Sequence, residues 1–171
     1  VWLGMKPYGL ALLDLDTGQT LFNEQIPALQ HISSHMLHMG FSSIARWKEG
    51  EYWMANSGWG IVVCPPQGNA YQLKGPDVPW LADNFVNYLY ADRQGRTLVD
   101  QRTRLSIVYP ERTGRVLELR ASTDDLRRCD VRHIKQHHHG RYWISTQDQG
   151  TNCSEHGLVT KRTHRRRSHH A

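Results

Sequence analysis

Eleven histidines stand in this chain of 171 residues, and two groups of them have spacings that could hold a metal. His137, His138 and His139, with His133 just upstream, offer imidazole nitrogens to a borderline ion such as zinc. Consecutive strand residues alternate faces, so two of the three should point apart, and the run falls in a turn before Gly140. The usual zinc-ligand spacings are not reproduced, so the expectation is an exposed polar turn and no metal site. His31, His35 and His38 can share one face of a helical turn, but no carboxylate accompanies them in that segment. Ser33-Ser34, Ser42-Ser43 and Asp124-Asp125 sit in no nucleophile elbow, no HExxH motif and no phosphate-cradling glycine loop. No catalytic residue and no cofactor is therefore expected. Cys64, Cys129 and Cys153 form an odd set without CxxC spacing, which indicates neither a zinc site nor a complete disulfide framework, though one bridge can form.

The elements that would position such side chains repeat. Val1-Trp2-Leu3-Gly4, Tyr52-Trp53-Met54-Ala55, Thr97-Leu98-Val99-Asp100 and Tyr142-Trp143-Ile144-Ser145 place Trp2, Trp53, Leu98 and Trp143 in register. The last three lie 45 residues apart, as do Gly50, Gly95 and Gly140, and so do the aliphatic residues Ile44, Leu89 and Ile134. Each unit reads as short strands separated by turns. In the third, 85–90, 97–99, 105–109 and 115–119 are the strands, and Asp92-Arg93-Gln94-Gly95 closes the first hairpin. The first unit ends in Leu10 to Leu15 and the turn Asp16-Thr17-Gly18. Four strands in about 45 residues match the unit of a β-propeller blade. The fold class is all-β, a partial propeller of about three and a half to four blades, each a four-stranded antiparallel sheet. The segments are 1–36 (partial), 37–80, 81–125 and 126–163 (the last incomplete), followed by a basic tail, 164–171, expected to be disordered. The spacing between Trp2 and Trp53 is longer by six residues, which fits an insertion carrying a helical turn between Pro27 and Met39, with Leu29, Ile32, Met36 and Leu37 on one side.

Charge narrows the partners. The net charge of +5 is carried entirely by Lys161, Arg162, Arg165, Arg166 and Arg167, leaving residues 1–160 balanced. A neutral body with a basic tail lacks the continuous positive stripe that phosphate backbones require, so nucleic acid is not an expected partner. No apolar run reaches the length of a membrane span. The chain starts within a strand and without an initiator Met, so a targeting segment can lie upstream of it.

The pattern of aliphatic strand, Asp-x-x-Gly, aromatic-aliphatic strand and then Gly-Leu resembles the two-component regulator propeller repeat. Val1-Trp2-Leu3-Gly4-Met5 with Gly9-Leu10, and Gly140-Arg141-Tyr142-Trp143-Ile144-Ser145-Thr146 with Gly157-Leu158, carry that resemblance. Leu81 to Val86 resembles the lead-in, and Asp92-Arg93-Gln94-Gly95-Arg96 the hairpin. Trp47 and His137 stand where the family favours Asp, Leu98 replaces the Trp, and Arg104-Leu105 replaces Gly-Leu. The resemblance implies the extracytoplasmic sensing part of an inner-membrane signalling protein, such as a hybrid histidine kinase, and a ring commonly of seven blades, of which this chain is a fragment. It implies a small-molecule or oligosaccharide ligand. The remaining blades are further partners, and so is a second copy, since an open arc leaves sheet edges that self-associate.

Equivalent loops of a propeller emerge on one face, so recognition is expected in the loops after the second strand of each unit. There Tyr8 and Trp59 can stack on a sugar ring, Arg102 and Arg104 can pair with a carboxylate or sulfate, and Gln147 and Asp148 complete the set. The plainer reading is packing, because a loop aromatic often plugs the gap between blades. A generic protein-interaction propeller and a fragment of a propeller lyase or hydrolase are the competing functions, the latter because such enzymes assemble sites from distant blades.

Overall fold

A computed structural model describes residues 1–5, 9–47, 50–75, 77–78, 80–81, 83–102, 104–108, 116–118, 120–121, 130–147, 150–155 and 158–161, with backbone only over 116–121 and 152–161. The strands fall into successive antiparallel sheets. The first holds β1 (Trp2–Met5), β2 (Gly9–Leu13) and β3 (Thr20–Phe22). The second holds β4 (Phe41–Arg46), β5 (Tyr52–Asn56), β6 (Gly60–Cys64) and β7 (Tyr71–Leu73). The third holds β8 (Val86–Ala91), β9 (Thr97–Gln101), β10 (Arg104–Val108) and β11 (Val116–Glu118). After β12 (Arg120–Ala121), the last sheet runs through β13 (Val131–Gln136), β14 (Tyr142–Thr146), β15 (Thr151–Glu155) and β16 (Leu158–Lys161). Its order is β12-β16-β15-β14-β13, because β12 pairs parallel with the outermost strand. This is a departure from the four-stranded blade expected.

The 45-residue period has a local cause. Gly50, Gly95 and Gly140 lie at φ +87°, +73° and +79°, the left-handed conformation that closes the first hairpin of each blade and that a side chain resists. The first strands share a second mark, a register shift between Phe41 and Ser43, between Val86 and Tyr88, and between Val131 and His133. A bulge at one position in three successive blades twists each strand alike and aims its lead-in at the same end. The six-residue insertion becomes two short 3-10 turns, Asn23–Gln25 and Pro27–Leu29, and the single-turn helix α1, Ser34–Leu37. Its Leu29, Ile32, Met36 and Leu37 are buried. No helix among the described residues is long and apolar enough to cross a membrane.

The core is divided among the spaces between sheets. Strand alternation sends Met54, Val62 and Cys64 toward the first blade and the insertion, while Trp53, Ala55, Ile61 and Val63 face the third blade. In the third blade Val99 and Val108 turn back toward the second, whereas Leu98, Leu105 and Ile107 meet Ile134, Tyr142 and Ile144 of the fourth. A sheet buried on both faces needs no polar alternation, which is why β6 reads as the unbroken apolar run Ile61-Val62-Val63-Cys64.

Polar latches tie the hairpin end of one blade to the next. Asp92, whose side chain is 0% exposed, accepts the backbone N–H groups of Gln94 and Arg96 at Oδ1, 2.9 and 2.8 Å away. Its Oδ2 accepts Arg96 Nε at 2.6 Å and the hydroxyl of Tyr142 from the fourth blade. Arg96 Nη2 in turn donates to the Tyr142 oxygen, and burial together with the Asp92 carboxylate raises the phenol's pKa. Beside it, Gln136 receives the Arg93 N–H at Oε1 (3.0 Å), donates its Nε2 to Gln94 Oε1 (2.7 Å), and donates its backbone N–H to Tyr90 (3.0 Å). The equivalent pair between the second and third blades is Trp47 and Thr97, which cannot form this contact. There Trp47 Nε1 donates to the Gly95 carbonyl at 3.0 Å, and the buried Thr97 hydroxyl has no hydrogen-bond partner.

Removing the carboxylate of Asp92 takes the acceptor from the Arg96 Nε–H, the Tyr142 hydroxyl and two backbone donors. Asp92→Ala should lower unfolding free energy by about 3 kcal/mol, and Tyr142→Phe by about 1–2 kcal/mol. Trp47→Phe, which keeps the ring and loses one neutral hydrogen bond, should cost about 1 kcal/mol. Urea unfolding of the three variants checks the order; an Asp92→Ala midpoint equal to the parent's would sink the latch.

Candidate functional site

The hairpin turns gather at one end of the strands, so the turns joining second to third strands gather at the other. Ser57, Arg102 and Gln147 are equivalent there, each following the last residue of its second strand. The backbone repeats with them. Arg102 N–H donates to the Phe85 carbonyl at 3.3 Å and Gln147 N–H to the Asp130 carbonyl at 3.0 Å, so each loop is pinned to the lead-in of its own blade.

Ser57, Phe85 and Arg102 meet at the second and third blades. Ser57 forms an isolated antiparallel bridge with Phe85, joining the loop of one blade to the lead-in of the next. Gly58 and Gly60 both donate their N–H to the Asn84 carbonyl, at 3.0 and 2.9 Å. Gly60 has φ +85°, and a Cβ there would stand 2.2 Å from the Leu73 carbonyl oxygen, so only glycine admits this approach. Asn84 Oδ1 receives the Gly75 N–H at 2.8 Å, and Asp83 Oδ1 receives the Phe85 N–H at 2.7 Å. So clamped, Phe85 remains 38% exposed, with the Arg102 guanidinium carbon 3.6 Å from its ring centroid. A guanidinium lying on an aromatic face keeps its edge donors free to meet a carboxylate or sulfate, while the ring edge offers an apolar surface.

Beneath the loops lies a buried polar layer. Asn56, Gln101 and Thr146, the last residues of β5, β9 and β14, are equivalent and buried. Gln101 Nε2 reaches the Trp80 carbonyl (3.4 Å) and Ser106 Oγ (3.5 Å), and Thr146 Oγ1 donates to the Gly150 carbonyl (3.0 Å). Asn56 is 0% exposed, and neither its amide nitrogen nor its oxygen has a hydrogen-bond partner. A buried amide in that state costs about 1–3 kcal/mol unless a donor–acceptor molecule such as water or a hydroxyl meets it. Next to Gln101, the buried Asp100 receives the Val131 N–H at Oδ2, 3.2 Å away, across the junction with the fourth blade. Burial pushes its carboxyl up to about 7, against the downward pull of the Val131 N–H and the Asn87 side chain, with the Asp130 charge adding to the rise.

The residues expected from sequence separate on this geometry. Arg102 lies on the exposed Phe85 platform. Gln147 is exposed and pinned to Asp130. Arg104 turns aside to the connection between blades, its Nη2 donating to the Trp80 carbonyl at 2.7 Å. Trp59 is half-buried, packs on the core beside the first blade, and meets the His35 ring edge-on at 5.4 Å. Tyr8 and Asp148 lie outside the described residues. Asn56 opens the expected loop that carries Trp59, and a polar residue stands at its place, 45 residues apart, at the end of each second strand; Phe85 and Asp100 are additions that no loop position signals.

No protein-family model and no curated protein matches the chain. Solved structures do. The chain is similar to an extracellular domain from B. thetaiotaomicron described as part of a hybrid two component system, at 17% identity and TM-score 0.62, over 89% of this chain and 18% of that one. A second such domain from the same organism matches at 14% identity and TM-score 0.62, over 89% of this chain and 21% of that one. Virginiamycin B lyase from Staphylococcus aureus matches at 10% identity and TM-score 0.58, over 88% of this chain and 47% of its own length. These neighbours have propeller-like folds, in keeping with the resemblance read from the repeats. The chain spans about a fifth of the two extracellular domains.

The carboxyl of Asp100 makes stability depend on pH. Its folded pKa of about 7 lies above the unfolded value of about 3.9, so the folded chain holds a proton that the unfolded chain releases. This contribution is complete below about pH 4, declines as pH rises to about 7, and is level above that. Asp100→Asn retains an oxygen to accept the Val131 N–H and should remove that decline. Thermal melts should show the variant more stable at pH 8, by about 2–4 °C for each kcal/mol recovered, with little change at pH 4. Equal pH slopes for parent and variant would mean that Asp100 ionises normally.

Proposed function

We propose that this chain is an arc of an extracytoplasmic ligand-sensing propeller whose longer parent carries occupancy to a signalling output such as a histidine kinase. The observation that carries the reading is the likeness, over most of the chain, to extracellular domains of hybrid two component systems. The segment binds and does not catalyse. Its ligand is an oligosaccharide or other small molecule with an anionic group, held at the ends of the second strands. Phe85 supplies an apolar ring edge, Arg102 a charge-assisted donor pair, and the unsatisfied Asn56 amide marks a neighbouring polar site. The remaining blades of the parent, and a second copy meeting the open ends of the arc, are its protein partners.

The likeness to a lyase favours a second reading, a fragment of a propeller enzyme. The two differ in what the ligand does, since a sensor returns it unchanged.

A panel of neutral and acidic oligosaccharides, titrated calorimetrically into the chain, tests the proposal. An acidic member should bind, and Arg102→Ala and Phe85→Ala should each weaken it by about tenfold, the loss of about 1.4 kcal/mol. Arg104→Ala should leave affinity unchanged. Product formation in the same samples would favour the lyase reading. Binding insensitive to Arg102 and Phe85 would remove this site from the proposal.

A further inference from the structure

The first hairpin of the fourth blade has the backbone of its counterpart in the third. His137 N–H donates to the Arg141 carbonyl at 2.7 Å and Gly140 N–H to the His137 carbonyl at 2.9 Å; Asp92 and Gly95 make the same bonds at 2.8 and 3.1 Å. What differs is the side chains. Asp92 and Gln94, whose side chains cap the turn or latch the next blade, and the exposed Arg93 between them are replaced by His137, His138 and His139.

The alternation of side chains along a strand, which spoke against a metal, does not apply here, because β13 ends at Gln136 and the histidines stand on the turn. The rings instead gather. Centroids lie 3.6 Å apart for His137 and His138, 4.1 Å for His138 and His139, and 5.3 Å for His137 and His139. One nitrogen from each lies within 4.8 Å of the other two, and all three residues are exposed.

We propose that His137, His138 and His139 form a surface site for a divalent transition metal of the zinc and copper class. The donor set selects that class, since three imidazoles without a carboxylate suit zinc, copper or nickel and not the oxygen-seeking calcium and magnesium. Zinc bonds imidazole nitrogen at about 2.0–2.1 Å, so tetrahedral ligands stand roughly 3.3 Å apart. The ligating nitrogens must close by up to about 1.5 Å, which rotation about the χ angles of exposed side chains supplies. The hairpin bonds hold the three Cα atoms in place while they do so. Three protein ligands leave a coordination position open to solvent, where a carboxylate or another imidazole can complete the sphere. His133 takes no part; its Nδ1 faces the Tyr88 hydroxyl at 3.3 Å.

The experiment is calorimetric titration of zinc chloride into the 171-residue chain in which His164, His169 and His170 of the tail are changed to Ala, so that no tail imidazole competes. Saturable binding of a single equivalent is expected. His138→Ala in that background should weaken it by about tenfold or more, the range seen when support of a metal site is lost, and His133→Ala should leave it unchanged. Because the turn is exposed, the circular dichroism of the variants should match the parent. Absence of saturable binding, an unchanged affinity in His138→Ala, or an equal loss in His133→Ala overturns the proposal.

Discussion

A sheet of short strands with apolar side chains on both faces cannot stand by itself, and the second and third blades are built that way. Trp53 and Met54 are neighbours in sequence, yet one belongs to the core shared with the third blade and the other to the core shared with the first. Each blade is therefore half of two cores. The consequence is a nearly one-dimensional molecule in which stability is set interface by interface. An alteration at Leu98 acts on the junction with the fourth blade, whereas one at its neighbour Val99 acts on the junction with the second.

Hydrophobic burial holds adjacent sheets together without fixing their angle, and directional bonds at the hairpin end supply that. The Asp92–Tyr142 contact has a double role, capping its own turn and catching the next blade, so its carboxylate does two jobs that would otherwise need two residues. The other described hairpin junction shows what happens when such a pair is lost. With Trp47 in place of the acid, the position of Tyr142 is held by Thr97, too short to reach across, and an indole N–H to a carbonyl is the replacement. Trp47 also lies against Trp53, which stacks on Trp80 at 5.8 Å and 7°, so the lost polar latch is offset by an aromatic one. This gives a physical reason for the departures to come together: the contact across the junction needs both the acid and the tyrosine.

The fold was readable in the sequence because its determinants are local. Turn glycines at a fixed period, apolar strands and an Asp-x-x-Gly hairpin each report on a few residues, and repetition amplifies them. The insertion was visible as a break in the period, and its burial followed from Leu29, Met36 and Leu37. The candidate site was readable only in position. Sequence placed Arg102 and Arg104 in one loop as equals, but one lies on Phe85 and the other is drawn to Trp80. Nothing local distinguishes them, since the choice is made by lead-in segments some 20 residues upstream. The exposed histidine turn was legible because Gly140 marks the hairpin locally, whereas the gathering of its three rings is side-chain geometry that spacing does not report.

The two ends of the blades are under different constraints, and that asymmetry decides where chemistry can be carried. At the hairpin end the backbone is invariant across the third and fourth blades, and the side chains are normally consumed in latching. At the loop end the equivalent residues Ser57, Arg102 and Gln147 differ in charge and size, while only the backbone bonds to Phe85 and Asp130 recur. Variation there costs no latch, so a binding surface can change without loosening the arc. The histidine turn reverses this arrangement. By giving up Asp92's kind of latch it frees three side chains on a rigid frame, so any gain in surface chemistry at the fourth blade comes with a weaker directional hold on whatever packs beyond it.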